Sequence, residues 1–149
     1  MQITLRDITQ HNLRDVINLE VTEDQRSFVA PNVRSIAEAW VFRNWEPMAI
    51  YADETLVGFV MCGQDPDTPG SSTWYLIRYM IGAQYQNKGY GKAALPEVIK
   101  MLSVKPGCTE IQLGVEPGNA IAKKLYAAFG FVFTGQIEHG EEIWGYKVN

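Results

Sequence analysis

The sequence predicts an α/β (α+β) fold in which a mixed sheet carries helices on its faces. Two observations predict it. A long aromatic and apolar run from Thr73 to Gly82 feeds a glycine turn, and a helical apolar pattern of Ala94, Leu95, Val98 and Leu102 follows between Gly91 and Ser103. On both sides of this strand-turn-helix unit, short strand-like runs are interspersed with helical ones. At 149 residues the chain has the size of one domain around a single substantial core, and no linker, repeat or low-complexity segment divides it. One domain, 1–149, is expected.

Gln2 to Asp7 alternates as a short strand, and Thr9 is placed to cap a helix from about Gln10 to Glu20. Thr22 to Val33 is polar and ends in Ala30-Pro31-Asn32, a short helix or turn followed by a loop. Ser35 and Glu38 have capping-box spacing, and Ile36, Ala39 and Trp40 follow at helical intervals, so a second helix is predicted from Ser35 to about Trp45. Met48 to Ala52 and Leu56 to Cys62 form a hairpin around Asp53-Glu54-Thr55, and Asp65 to Ser72 is a turn-rich loop. Beyond the central unit, Glu110 to Val115 is a strand, and Asn119 to Phe129 is a helix closed by Gly130. Phe131 to Glu138 and Glu141 to Lys147 pair around His139-Gly140. Pro96 breaks the local rule inside the Gly91 to Ser103 helix, because proline removes a donor and crowds the preceding turn. A kink, or tolerance near the first turns, is expected there.

A hydrophobic content of 46% with 20% charged residues is ordinary globular composition. The formal charge of -4 argues against a broad nucleic-acid surface, which needs clustered Lys and Arg to displace counterions, and fits a cationic substrate better. Cys62 and Cys108 are too few and too far apart for a disulfide framework or a zinc site, and both read as reduced thiols in apolar stretches. His11 and His139 read as a helix-start and a turn residue, so no metal is assigned. Met1 to Arg6 lacks the apolar run of a signal peptide, and no stretch reaches about 18 apolar residues, so no membrane partner and a cytoplasmic location are expected.

Gln86-Asn87-Lys88-Gly89-Tyr90-Gly91-Lys92 stands between the long strand and its helix. Glycines at that junction let backbone approach a ligand, the first-turn amides are free to donate, and the helix dipole favours an anion. Lys88 and Lys92 add charge at the rim, which suits a pyrophosphate. A P-loop would need Gly-Lys-Ser/Thr, and a dinucleotide fingerprint would need a third glycine and a downstream acid; neither is present.

Gln86-x-x-Gly89-x-Gly91 resembles the Arg/Gln-x-x-Gly-x-Gly/Ala motif of the acetyl-CoA-dependent N-acetyltransferase superfamily, GNAT. Tyr79 to Tyr85 resembles the strand and approach loop that precede it, with Ala83 where proline is frequent. Downstream, Asn119-Ala120-Ile121-Ala122-Lys123-Lys124-Leu125-Tyr126 with Phe129-Gly130-Phe131 resembles the second motif, so the likeness covers about residues 73 to 133. The resemblance implies a mixed, mostly antiparallel sheet of six to seven strands with about four helices. It also implies acetyl-CoA as cofactor and a homodimer.

The resemblance further implies that the pantetheine arm lies along Met80 and Ile81. It implies contacts from Asn119 and a proton for the departing thiolate from Tyr126. Asn119, Ala122, Lys123 and Tyr126 share one helical face by their spacing. Polyamine acetyltransferases commonly have a carboxylate on the central strand where this chain has Ile77; Glu20 and Glu23 are therefore the candidate bases, acting directly or through water. Gln25 to Asn32 resembles bacterial spermine/spermidine acetyltransferases, and that likeness extends through Gly58-Phe59 and Trp74 to Arg78.

A small-molecule amine is the implied acceptor. Glu20, Glu23, Asp24 and Glu38 are candidates to hold its ammonium groups, and Phe28, Trp40, Tyr75 and Tyr79 to line its methylenes. Arg78 in an apolar strand is expected to pair with an acid such as Glu20. Other amines (a protein N-terminus, an amino acid or an aminoglycoside) and a noncatalytic acyl-CoA sensor stay open.

Overall fold

The computed structural model describes every residue from Met1 to Asn149. Strands β1 (Ile3–Asp7), β2 (Glu46–Ala52), β3 (Thr55–Gly63), β4 (Thr73–Ile81), β5 (Glu110–Val115), β6 (Val132–Glu138) and β7 (Glu141–Lys147) form one seven-stranded sheet. Its order is β1-β2-β3-β4-β5-β7-β6. Every neighbouring pair is antiparallel except β4 and β5, which run parallel. The helices are α1 (Leu13–Asn18), α2 (Asn32–Val41), α3 (Tyr90–Ser103) and α4 (Ala120–Ala128).

The sheet buries both faces near its centre. On the first face, Ile111, Leu113 and Val115 of β5 pack with Ala94, Leu95, Val98 and Leu102 of α3, and with Tyr126 and Phe131. On the second face, Ala49, Phe59, Met61 and Met80 enclose Val16 of α1, with Ile36 and Ala39 of α2 packed beside them. Each fully buried aliphatic side chain contributes on the order of 1.5–3 kcal/mol, so these two layers dominate the stability of the sheet.

A bulge in β4 decides what each face presents. Cys62 pairs with Leu76 but Met61 pairs with Arg78, leaving Ile77 as the extra residue. Strict alternation from Leu76 would put Arg78 on the first face and Tyr79 on the second; the extra residue reverses both. Met80 therefore joins the second-face cluster, whereas Tyr79 and Ile81 pack against the first.

The predicted turn at His139-Gly140 joins β6 and β7, with φ of 51° and 80° as a tight hairpin requires. Helix boundaries differ more. The helix predicted from Gln10 to Glu20 is shortened to α1, because Asn12 Oδ1 accepts from Thr9 N at 2.8 Å and Thr9 Oγ1 accepts from His11 N at 3.2 Å. These local side-chain bonds give the backbone an alternative to helix.

The capping box at Ser35 and Glu38 does not form. Helix α2 starts earlier, after Pro31, and the buried Asn32 side chain docks that start by donating to Val16 O at 2.9 Å. Ser35 lies inside the helix with no partner for its hydroxyl, and α2 ends at Val41 rather than Trp45 because Phe42 leaves helical geometry. Pro96 lies within α3, which runs on through it. Pro96 and Lys92, whose carbonyl it leaves unpaired, are both exposed, so solvent can serve that oxygen.

Candidate active site

The parallel strands β4 and β5 pair only at Thr73 with Glu110, Trp74 with Ile111, and Tyr75 with Gln112. Beyond Tyr75 each strand continues without the other, which leaves a wedge open between them. Met80 and Ile81 lie on the β4 side of that wedge, and their strand leads directly into the glycine turn.

The turn itself is held open by backbone geometry. Asn87 and Gly89 take φ of 62° and 87°, and Gly89 is the left-handed residue before α3. No amide from Asn87 to Lys92 donates to a group of the chain; the first helical bond runs from Ala93 N to Gly89 O at 3.0 Å. A concave run of free N–H groups at the start of a 14-residue helix, with Lys88 and Lys92 exposed beside it, fits a pyrophosphate. Tyr79 stabilises this end of α3 by donating its hydroxyl to Gly91 O at 2.7 Å. Tyr90, predicted in the same loop, packs edge-on to Tyr85 at 6.4 Å.

Below the turn, Tyr126 of α4 is buried and packs edge-on against Phe131 at 5.7 Å. Its hydroxyl has no hydrogen-bond partner within the chain. Burial holds its phenol well above the ordinary tyrosine range, with a further push from neighbouring Cys62. Tyr79 is raised in the same way, by burial first and then by Tyr126. Asn119 caps α4, its Oδ1 accepting from Ala122 N at 3.2 Å, and Lys123 reaches Glu142 of β7 at 3.4 Å.

The second face carries the predicted acids. Arg78 does not pair with Glu20; its guanidinium meets Glu38 of α2 at 3.1 Å and also donates to Ile77 O. The bulge turns Arg78 toward α2, whereas Glu20 lies in the segment after α1 and pairs loosely with Arg26 at 3.5 Å. Glu38 receives a second arginine, Arg34, also at 3.5 Å. Glu23 and Asp24 are exposed on a single 3-10 turn that continues through Gln25, and Phe28 is half-buried just beyond it.

Two predicted aromatics lie elsewhere. Tyr79 is on the first face, away from the acids, and Trp40 is 70% exposed on the outside of α2 with Arg43 stacked over its ring at 4.1 Å. Two further residues escaped the sequence reading. Gln25 exchanges hydrogen bonds with Gln86, tying the acidic turn to the glycine loop. Glu141, at the start of β7, reaches over Gly114 on the splayed stretch of β5, so that a Cβ at Gly114 would stand 2.8 Å from its Oε1. Only the register of β7 against β5 separates Glu141 from Glu142, and no local pattern announces it.

The acetyltransferase (GNAT) family pattern matches residues 13–131. The chain belongs to that family. It is 31% identical over 148 residues to the spermine/spermidine N(1)-acetyltransferase of Bacillus subtilis (strain 168), covering 96% of this chain and 97% of that one. Among solved structures, it matches a Vibrio cholerae spermidine N-acetyltransferase bound to coenzyme A and spermine with TM-score 0.74. The sequence identity is 18%, over 97% of this chain and 93% of the other. An aminoglycoside acetyltransferase in complex with coenzyme A matches with TM-score 0.78 and 16% identity, over 98% of this chain and 95% of the other. These structural likenesses extend the agreement on fold to the mixed, mostly antiparallel sheet. The protein is an acetyltransferase with acetyl-CoA as cosubstrate, and no helix is long and apolar enough to cross a membrane.

Proposed function

We propose that this acetyltransferase transfers the acetyl group of acetyl-CoA to a primary amine of spermine, spermidine or a related diamine. The observation that carries the reading is the 31% identity to a spermine/spermidine N(1)-acetyltransferase, which spans 96% of this chain and so includes the acceptor half as well as the cofactor motifs. Glu20, Glu23 and Asp24 supply carboxylates in one short segment, and that segment is hydrogen-bonded to the approach loop through Ala83 N and Glu20 O at 2.7 Å. A polycation with ammonium groups several carbons apart suits carboxylates spaced along a cleft. Glu38 offsets the charge of Arg78, which would otherwise repel such a substrate.

On the donor side, the free amides from Asn87 to Lys92 bind the pyrophosphate. Met80 and Ile81 line the pantetheine arm, and Asn119 and Lys123 complete the wall. Tyr126 gives its proton to the departing sulfur; burial keeps that phenol protonated across physiological pH.

The test is thiol release from acetyl-CoA with a panel of spermine, spermidine, lysine, an N-terminal peptide and kanamycin. Polyamines are expected to give the highest kcat/KM. A preference for any of the others would overturn the acceptor assignment, and tight acetyl-CoA binding with no acetylated amine would favour a sensor.

A further inference from the structure

Amine acetylation needs a group to take up a proton, because a primary amine with a pKa near 10 is neutral in only about one molecule per thousand at pH 7. Ile77, where the sequence resemblance leads one to expect an acid, is the bulged residue of β4 and packs against the second-face apolar cluster. The base must come from elsewhere in the chain. The phosphate turn opens α3, which covers the first face, and Tyr126 and Leu95 fill that side. An amine meeting an acetyl group in the wedge therefore arrives from the second face.

Beside the apolar Met80, the positions that border the wedge there differ in charge. Arg78 of β4 is a permanent cation engaged by Glu38. Gln112 of β5 is neutral and donates to Glu110 at 2.6 Å, and Glu110 is also held by Lys147, which together draw that carboxylate below its ordinary range. Gly114 has no side chain. Glu141 reaches across Gly114, close enough to Arg78 to feel its charge, and has no salt-bridge partner. Glu142 points the opposite way, to Lys123 on the first face.

The geometry points to Glu141 as the carboxylate that receives the proton of the acceptor amine. The inference rests on the proposed amine acetylation, but not on which amine is used. Glu141 takes one proton from the acceptor ammonium, and the neutral amine forms the N–C bond to the acetyl carbon as the C–S bond breaks. Tyr126 gives its proton to the sulfur, which keeps the C–S electron pair; the second nitrogen proton is shed as the amide forms and restores Tyr126 through solvent. Glu141 then releases its own proton. Ammonium and thioester have become amide, free thiol and one proton.

The charge environment suits this role. Burial raises the Glu141 carboxyl, Glu116 raises it further, and Arg78 and His139 oppose the rise; Glu138 stands across the hairpin on β6. A carboxylate raised in this way holds a proton more readily than an exposed glutamate. Gly114 contributes by leaving the space that the carboxylate occupies.

Glu141→Gln keeps the size and removes the base. With whichever amine of the panel is acetylated, kcat at pH 7 is expected to fall about 100-fold or more while the acetyl-CoA KM stays within about twofold. The residual rate should climb about tenfold per pH unit between about pH 7 and 9, as solvent supplies free amine, and Glu141→Asp should recover part of the loss. Without acetyl-CoA, carboxyl carbon NMR should show the Glu141 signal, identified by its loss in the Gln variant, titrating above the ordinary glutamate range and shifting when spermidine is added.

The assignment is overturned if Glu141→Gln keeps kcat within about threefold, or if only the amine KM rises, which would make Glu141 an ammonium anchor. An ordinary titration with no response to spermidine also overturns it. Acetylation of another amine but not spermidine defeats the polyamine reading alone, and Glu141 is then judged on that amine.

Discussion

Gln25 and Gln86 hold each other by a reciprocal pair of amide hydrogen bonds, at 2.9 and 3.2 Å, across the boundary between the acidic turn and the glycine loop. Gln86 Nε2 also donates to Ile81 O at 2.9 Å, at the end of β4. One amide thus fixes the strand that lines the wedge, the loop that offers free N–H groups, and the segment that carries Glu23 and Asp24. The proposed donor and acceptor regions thus share a mechanical support, and disturbance of one should reach the other.

Gln86→Ala removes these bonds and leaves Gln25 part-buried without its partner, so a stability loss of about 1–2 kcal/mol is expected. KM should rise severalfold for both acetyl-CoA and amine. Gln25→Ala leaves the bond to Ile81 and should affect the amine more than the cofactor. In a double-mutant cycle the two changes should be less than additive, with a coupling of about 0.5–1.5 kcal/mol. Additive losses would show that the amide pair transmits nothing.

The Arg78 and Glu38 pair makes a second prediction. Both side chains are largely sheltered, at 21% and 24% exposed, so Glu38→Gln should cost about 1–2 kcal/mol in chemical denaturation, between the values typical of surface and buried pairs. It should also raise KM for spermine more than for a monoamine, because the Arg78 charge is then unopposed. Glu20→Gln, at an exposed and loosely paired position, should leave stability unchanged. Equal effects from the two substitutions would defeat the distinction.

How much of this was legible in the sequence depends on the range of the interaction. The strand-turn-helix unit, the His139-Gly140 hairpin and the Asn119 helix follow from local patterns, and all appear close to their expected bounds. The start of α2 departs from the local pattern because Ser35 and Glu38 satisfy the spacing of a cap while Pro31 and the long-range docking of Asn32 set the true boundary. The partner of Arg78 and the face of Tyr79 depend on the single extra residue at Ile77, and a bulge leaves the composition of a strand unchanged. Glu141 needs the register of β7 against β5, which is a property of the assembled sheet. The residues that local rules missed are those that bring the second face of the wedge together.

Gly91 separates cofactor contact from folding. A Cβ there would stand 3.8 Å from Ile81 Cγ1 and 4.0 Å from Leu125 Cδ2, ordinary contact distances, and the residue lies within α3. Gly91→Ala should therefore leave Tm unchanged or slightly raised, because alanine favours helix. If a pyrophosphate approaches the backbone at this point, acetyl-CoA affinity measured by calorimetry should drop about tenfold or more. Gly89→Ala provides the contrast: nothing crowds its Cβ, but its φ of 87° makes alanine cost about 1–2 kcal/mol in stability. Unchanged cofactor affinity in a well-folded Gly91→Ala variant would move the phosphate site elsewhere.

Tyr126→Phe keeps the ring that packs on Phe131 and removes only a hydroxyl that has no partner in the chain. Stability should change by less than about 1 kcal/mol, since no internal hydrogen bond is lost. If the hydroxyl protonates the leaving sulfur, kcat should fall about 100-fold or more with little change in either KM. The pH profile supplies an independent check. Burial raises the folded-state pKa of this phenol, so its proton is retained as pH rises past the point where an exposed tyrosine would ionise. The rate should therefore show no decline assignable to Tyr126 below about pH 10. On the acid side, a rise in rate with pH should follow Glu141, whose carboxyl is also raised by burial, and should vanish in Glu141→Gln while persisting at reduced amplitude in Tyr126→Phe. A Phe variant with undiminished kcat would leave Tyr126 as a packing residue alone and require another proton source for the thiolate.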